Sequence, residues 1–254
     1  MRKCCFFDVD GTLLPKGSHG IPHSTSCALR TLQQNGHGVV LCTGRSYIEL
    51  EELGLTDFRY DGYILLNGQL CLDSELNPFR AVPFDENETA IVLDLFESMT
   101  YPVVLVEKNR LYMNYHDSCV SVAQASISTP VHPTGAYCGD ALYMATVYGN
   151  EKELSKLVLG NMKAKRWHKW AVDVYPCMGG KVAGAEAFLR KYNLAPSDAF
   201  AFGDAENDIE LLQFAGTGIA MGNALDEVKA VADFITTDDC NDGIANALRH
   251  YSLI

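Results

Sequence analysis

An α/β fold, a parallel sheet interrupted by an inserted α+β unit, is predicted by three features of the chain. Strand-like and helix-like patterns alternate from Lys3 to about Pro78 and resume from Gly180 onward. Between these stretches, strands come as neighbouring pairs with few crossovers, as an antiparallel sheet requires. Acidic or hydroxyl residues follow several strand patterns directly, and open parallel sheets bind their ligands at the carboxyl ends of strands.

Taken in order, the apolar run Cys4-Cys5-Phe6-Phe7 predicts a strand over 3–9, stopped by the acids Asp8 and Asp10 and by turn-forming Gly11. Residues 24–35 carry helical spacing, with Ser24 as cap and Gly36 as stop, and 38–43 return to strand, completing a β-α-β unit. A third short strand over 63–66 ends at Asn67-Gly68. The insert is expected to hold strands over 101–107, 110–116, 141–148 and 171–175, with helices over 117–127 and 151–161. After Gly180 come a helix over 181–192, a strand over 199–203, a helix over 207–215, a strand over 218–221, and helices over 225–232 and 242–251. No internal repeat or low-complexity tract is evident.

The 254 residues are 48% hydrophobic, enough to bury a full core. Against 32 acidic residues stand 20 Lys and Arg, and the net charge of -12 disfavours nucleic-acid backbones and anionic membranes. Asp8 interrupts the N-terminal apolar stretch too early for a signal peptide, and no stretch approaches the roughly 18 apolar residues of a membrane span. A cytoplasmic protein is therefore expected, with no protein partner predicted. The nine cysteines have no paired CxxC spacing, so buried, reduced thiols are expected rather than a zinc site or disulfides.

Four segments can carry chemistry. Asp8 and Asp10, two apart at a strand end, are either a pair of solvated loop acids or the start of a site where a divalent cation offsets their repulsion. Gly203-Asp204-Ala205-Glu206-Asn207-Asp208 again joins a strand to a helix; it reads as ordinary capping or as a further metal ligand, Asp204, beside the anion-binding first turn of Asn207 and Asp208. Thr43-Gly44 offers a hydroxyl and a backbone N–H to an anion. Lys181 opens a helix after Gly179-Gly180, the unfavourable end of the dipole for a cation unless an anion lies nearby. The late glycines, Gly216 to Gly222, do not have dinucleotide-binding spacing.

In this order, Asp8-Val9-Asp10-Gly11-Thr12, Thr43-Gly44-Arg45, Lys181 and the Gly203 to Asp208 segment resemble the four motifs of the haloacid dehalogenase (HAD) superfamily of phosphatases, over nearly the whole chain. Leu65-Leu66-Asn67-Gly68 and the stretch 215–224 are similar to its Cof-type (class IIB) members, although Val182 follows Lys181 where those proteins usually carry glycine.

The resemblance implies a discontinuous Rossmann-like HAD core, residues 1–79 and 179–254, with residues 80–178 forming an α+β cap of type C2B that closes over the site and selects the leaving group. It makes Asp8 the nucleophile and Asp10 the acid and base, with the expectation that Asp10 carries a proton as the first step begins. A magnesium ion, Mg2+, would be held by Asp8, the Asp10 carbonyl and Asp204, with Asp208 behind them orienting its waters. Thr43, Lys181, Asn207 and the N–H groups of Val9 and Gly44 would hold the phosphate oxygens. The implied substrate is a small phosphorylated metabolite, a sugar phosphate first of all. A phosphohexomutase-like transferase and a non-catalytic sensor of phosphometabolites are the alternatives. In the insert, Tyr112, Asn114, His116 and Tyr143 either face the substrate or pack the small sheet.

Overall fold

The computed structural model describes residues 2–15, 17, 18 and 20–254. The chain opens with β1 (Cys4–Phe7), α1 (His23–Gln34), β2 (Gly38–Cys42), α2 (Tyr47–Glu52), β3 (Gly62–Leu65), β4 (Leu70–Asp73) and β5 (Pro78–Ala81). The inserted stretch follows as α3 (Glu86–Glu97), β6 (Val103–Glu107), β7 (Leu111–Met113), α4 (Ser118–Ser126), β8 (Leu142–Tyr148), α5 (Glu151–Leu154), β9 (Lys163–His168) and β10 (Ala171–Tyr175). The chain then returns with α6 (Lys181–Lys191), β11 (Ala199–Gly203), α7 (Ile209–Phe214), β12 (Thr217–Ala220), α8 (Asp226–Lys229), β13 (Phe234–Ile235) and α9 (Gly243–His250).

Eight strands form one sheet in the order β13-β12-β11-β1-β2-β3-β4-β5. Its pairings are parallel from β13 to β3, and β4 and β5 add an antiparallel edge. A central parallel strand is covered on both faces and must be apolar throughout, which is why all four residues of β1 are buried. Phe6 meets Phe188 of α6 edge-on, and Phe7 stacks on Phe202 of β11 with ring centroids 4.6 Å apart. Helix α1 packs on α9, while α6 packs on α7 and the β2 to β5 side.

The insert forms a separate five-stranded antiparallel sheet, β7-β6-β8-β10-β9. One of its faces builds a second apolar cluster with Val92 and Phe96 of α3; the other looks toward the strand ends of the larger sheet.

Several local expectations need correction. Helix α1 starts at His23 behind Pro22, so Ser24 lies inside the first turn and caps nothing. Helix α3 was not anticipated, although Asp85 and Glu88 form a reciprocal capping box at its start. Strand β9 is too polar to read as a strand; it is a sheet edge, where charged residues are tolerated. The helix expected over 151–161 ends at Leu154, and that over 207–215 begins as a tight 3₁₀ turn, Glu206–Asp208, before α7. All nine cysteines are free, but Cys27, Cys138, Cys177 and Cys240 are exposed, and only Cys4, Cys5, Cys42 and Cys71 are fully buried. Among the described residues no helix is long and apolar enough to cross a membrane.

Candidate active site

Because β1 lies between β2 and β11 in parallel register, Asp8, Thr43 and Asp204 stand side by side just past three adjacent strand ends. The turn after Asp8 is tied by the Thr12 and Leu14 N–H groups, which donate to the Val9 carbonyl at 3.2 and 2.8 Å. Gly11 at its tip has φ +79°, and a Cβ there would collide with the Asp204 carboxylate, so glycine is needed on both counts. The Asn223 side chain donates to the Gly11 carbonyl at 2.8 Å, and Thr12 Oγ1 donates to Asp204 Oδ1 at 3.3 Å.

Lys181 is the first residue of α6, and its Nζ lies 2.6 Å from both Asp8 Oδ1 and Asp208 Oδ1. Those two carboxylates resolve the conflict of a cation at a helix N-terminus. Burial works against the lysine's charge, but Asp208 and Asp8 outweigh it and push the ammonium above the usual lysine range. The glycines precede the lysine for a packing reason. The Gly180 N–H donates to the Asn67 carbonyl at 2.8 Å with φ +132°, and a Cβ on Gly179 would run into Gln69. The helix start is thus docked against the turn that follows β3, and Val182 after the lysine packs, partly buried, against the core.

Oxygens of Asp8, Asp204 and Asp208 lie within 4.8 Å of one another. Burial, with neighbouring acids adding to it, raises the Asp8 carboxyl well above the usual range despite Lys181, and pushes Asp204 up to about 7. Asp208 has both oxygens committed, one to Lys181 and the other to the backbone N–H groups of Asp204 and Ala205 at 3.1 Å each. Three acids against one lysine leave an excess of negative charge among hard oxygen donors, and a divalent cation such as magnesium fits that set.

Arg45, quoted in the sequence only as the end of Thr-Gly-Arg, proves to be a central residue. Its Nε and Nη2 donate to the two oxygens of Asp10 at 2.7 Å, while Nη1 reaches Thr129 Oγ1 at 2.6 Å and Nη2 also reaches the Ile127 carbonyl at 2.7 Å. Burial opposes its charge, yet Asp10 holds it above the usual arginine range. One buried guanidinium therefore ties the turn after β1 to the loop after α4. Each Asp10 oxygen accepts one bond of this fork, which fixes the orientation of the carboxylate beside the cavity.

A cavity of about 620 Å³ lies above this floor. From the larger sheet it is lined by Asp8, Asp10, Thr43, Gly44, Asn67, Asp204 and Asn207, and from the insert by Val104, Val106, Met144, Thr146, Trp167 and Asp173 among others. Val9, Lys181 and Asp208 lie beneath the floor; the Val9 side chain belongs to the core. Thr43 is buried, its Oγ1 accepting from the Arg45 N–H at 3.2 Å. Asn207 is half-buried at the rim of the cavity.

None of the four insert residues singled out in the sequence lines the cavity. Tyr112 is packed and donates to Glu107, Asn114 ties the β6 and β7 ends together, and His116 is exposed. Besides Arg45, the cavity residue missed was Asp173, a lone acid in Ala-Val-Asp-Val-Tyr, and its isolation in an apolar strand was the available signal.

Residues 5–248 match the model of the haloacid dehalogenase-like hydrolase family. YkrA of Bacillus subtilis (strain 168) is 31% identical over 260 residues, which span 99% of this chain and 98% of that protein. The 5-amino-6-(5-phospho-D-ribitylamino)uracil phosphatase YitU of the same organism is 27% identical over 264 residues, 96% of this chain and 95% of that one. A solved HAD subclass IIB sugar phosphatase shares the fold with a TM-score of 0.86 at 28% identity, over 99% of this chain and 100% of its own. With the family model spanning nearly its whole length, and the motif residues gathered at the ends of three adjacent strands, the chain belongs to the haloacid dehalogenase-like hydrolases.

Proposed function

We propose that this chain is a magnesium-dependent phosphatase of small phosphorylated metabolites, working through an aspartyl phosphate on Asp8. The observation that carries the reading is the buried Asp8 carboxylate, gripped at 2.6 Å by Lys181 and set beside Asp204 at the floor of the cavity. Lys181 opposes the effect of burial on Asp8, a bound cation would add to it, and a carboxylate held ionised in this way needs no base to act as a nucleophile. In the first step an Asp8 oxygen bonds to phosphorus, the bond to the leaving oxygen breaks, and Asp10 gives that oxygen its proton. In the second, water attacks phosphorus and passes a proton to Asp10, and the Asp8–phosphorus bond breaks to release phosphate.

Arg45 would orient Asp10 for both steps. The insert acts as the cap in this reading, and the bonds from Arg45 to Ile127 and Thr129 link its position to the state of Asp10. Thr43, Gly44 and Asn207 face the space where phosphate oxygens would sit. Lys181 fixes the direction of the Asp8 oxygen and offsets its charge. A magnesium ion, held by Asp8, the Asp10 carbonyl and Asp204 with Asp208 behind them, would when bound neutralise charge on the phosphoryl group.

The relatives' names span an aminouracil phosphate and sugar phosphates, which agrees with a shared chemistry and a variable leaving group. The test is phosphate release from a panel of phosphorylated metabolites with magnesium and with chelator. Release with magnesium that chelator abolishes is expected; release indifferent to chelator would contradict the metal dependence.

A further inference from the structure

The tip of the turn after β1 is held in place from far along the chain. Gly11 has φ +79°, and glycine has the widest choice of backbone angles, so the peptides on either side of it need partners to stay fixed. The peptide before it is fixed locally: the Gly11 N–H donates to the Leu14 carbonyl at 2.9 Å. A trans peptide sets its N–H and C=O on opposite sides, so the Asp10 carbonyl points away from Leu14. The peptide after Gly11 is fixed by Asn223, whose Nδ2 donates to the Gly11 carbonyl at 2.8 Å.

Asn223 lies in the loop between β12 and α8, and the same loop holds the second acidic turn. The Met221 N–H donates to the Gly203 carbonyl at 3.0 Å, and the Leu225 N–H donates to the Asp204 carbonyl at 3.1 Å. The loop has its own anchor in the C-terminal segment. There the Gly222 N–H donates to the Thr237 carbonyl at 3.1 Å, and Asn223 Oδ1 accepts from the Asp239 N–H at 2.9 Å. Both ends of the Asn223 amide are therefore engaged, which fixes the way it points. The direct bond between the two acidic turns, from Thr12 Oγ1 to Asp204 Oδ1, is long at 3.3 Å, so the loop is the stronger tie. Gly11 also packs on the Asp204 carboxylate, where a Cβ would collide, so rotation of the tip would change the space around that carboxylate.

Resting on the metal-dependent reading above, we propose that Asn223 is a positioning residue for the cation. By pinning the Gly11 tip to a loop that also holds Asp204, it keeps the Asp10 carbonyl and the Asp204 carboxylate in the relation that a divalent ion requires. Magnesium demands near-ideal octahedral geometry, so a ligand that drifts binds more weakly. Asn223 does not line the cavity and acts only through the turns it holds.

The experiment titrates the metal-free protein with Mn2+, which shares magnesium's octahedral preference for oxygen, without substrate. Free Mn2+ is read by electron paramagnetic resonance, and Asp204→Asn defines which binding belongs to this site. Asn223→Ala should weaken that binding by about threefold to tenfold, a modest loss because Asn223 is exposed and water can replace its N–H. Asn246→Ala is the control. Asn246 Nδ2 donates to Thr237 Oγ1 at 2.9 Å and to the Asn241 carbonyl at 3.2 Å, so it braces the same C-terminal segment without reaching either acidic turn. Its loss should change Mn2+ affinity by less than about twofold. In phosphate release, the magnesium concentration for half-maximal rate should rise in Asn223→Ala by the same factor as the Mn2+ constant, while kcat at saturating magnesium falls by less. Wild-type Mn2+ affinity in Asn223→Ala, or an equal loss in Asn246→Ala, overturns the inference and leaves the phosphatase reading standing. No Mn2+ binding by the wild type overturns the metal reading and the inference with it.

Discussion

Arg45 grips Asp10 with two parallel bonds of 2.7 Å and, through its remaining donors, holds Ile127 and Thr129 of the insert. A bidentate guanidinium–carboxylate pair is directional as well as strong, so this contact acts as a latch between the two sheets. Arg45→Ala should cost about 2 kcal/mol in stability, less than a fully buried pair because Asp10 is partly exposed. Amide hydrogen exchange over residues 126–130 should accelerate roughly tenfold or more, with Arg45→Lys intermediate because lysine cannot make the fork. Unchanged exchange in Arg45→Ala would show that the latch does not hold the insert.

A second prediction concerns pH and Asp173. Burial pushes this carboxyl up to about 7 from its ordinary 3.8, and bonds from Thr146, Trp167 and Asn67 only partly oppose the rise. Below the unfolded value both states carry the proton and nothing is lost. Between the two values the folded state keeps a proton that the unfolded state has released, so stability falls as pH rises and the loss is complete above the folded value. The loss could reach about 4 kcal/mol as an upper bound. Asp173→Asn lacks this titration. Urea unfolding at pH 4.5 and pH 8 should show the variant gaining on the wild type as pH rises; a constant difference would contradict the burial of a titrating acid.

Thiol chemistry offers a third check on the fold. Cys27, Cys138, Cys177 and Cys240 are exposed and should react within minutes with a disulfide reagent in the native protein. Cys4, Cys5, Cys42 and Cys71 are buried, and burial raises each thiol, so they should react only on unfolding. Peptide mapping after native labelling separates the two groups. Rapid modification of Cys4 or Cys5 would contradict the position of β1 at the centre of the sheet.

The legible parts of this molecule were those whose signal is local. Strands β1 and β11 are continuous apolar runs because both faces are covered, and each ends at an acid, so strand, ligand-binding end and Asp8 or Asp204 could be read together. Lys181 was legible as a cation at the wrong end of a helix dipole. What escaped depends on distant pairs. Arg45 lies 35 residues from Asp10 and 84 from Thr129, and only the apposition of two sheets gives it those partners. Asp173 was visible as an oddity, but its neighbours come from β8, β9 and the turn after β3, which no local pattern brings together. Helix α3 was missed despite its capping box, whereas β9 was missed because an edge strand need not be apolar.

The account turns on Asp8 as the group that takes the phosphoryl. Asp8→Asn nearly preserves shape and removes the anionic nucleophile, and it should fold, since it relieves a buried acid whose charge is already opposed by its surroundings. The most direct test is steady-state phosphate release by Asp8→Asn beside the wild type, with magnesium, on any ester the wild type hydrolyses. A fall of about a thousandfold or more is predicted, as expected when a covalent nucleophile is lost. Activity surviving at a tenth of the wild-type rate in a folded variant would contradict the assignment.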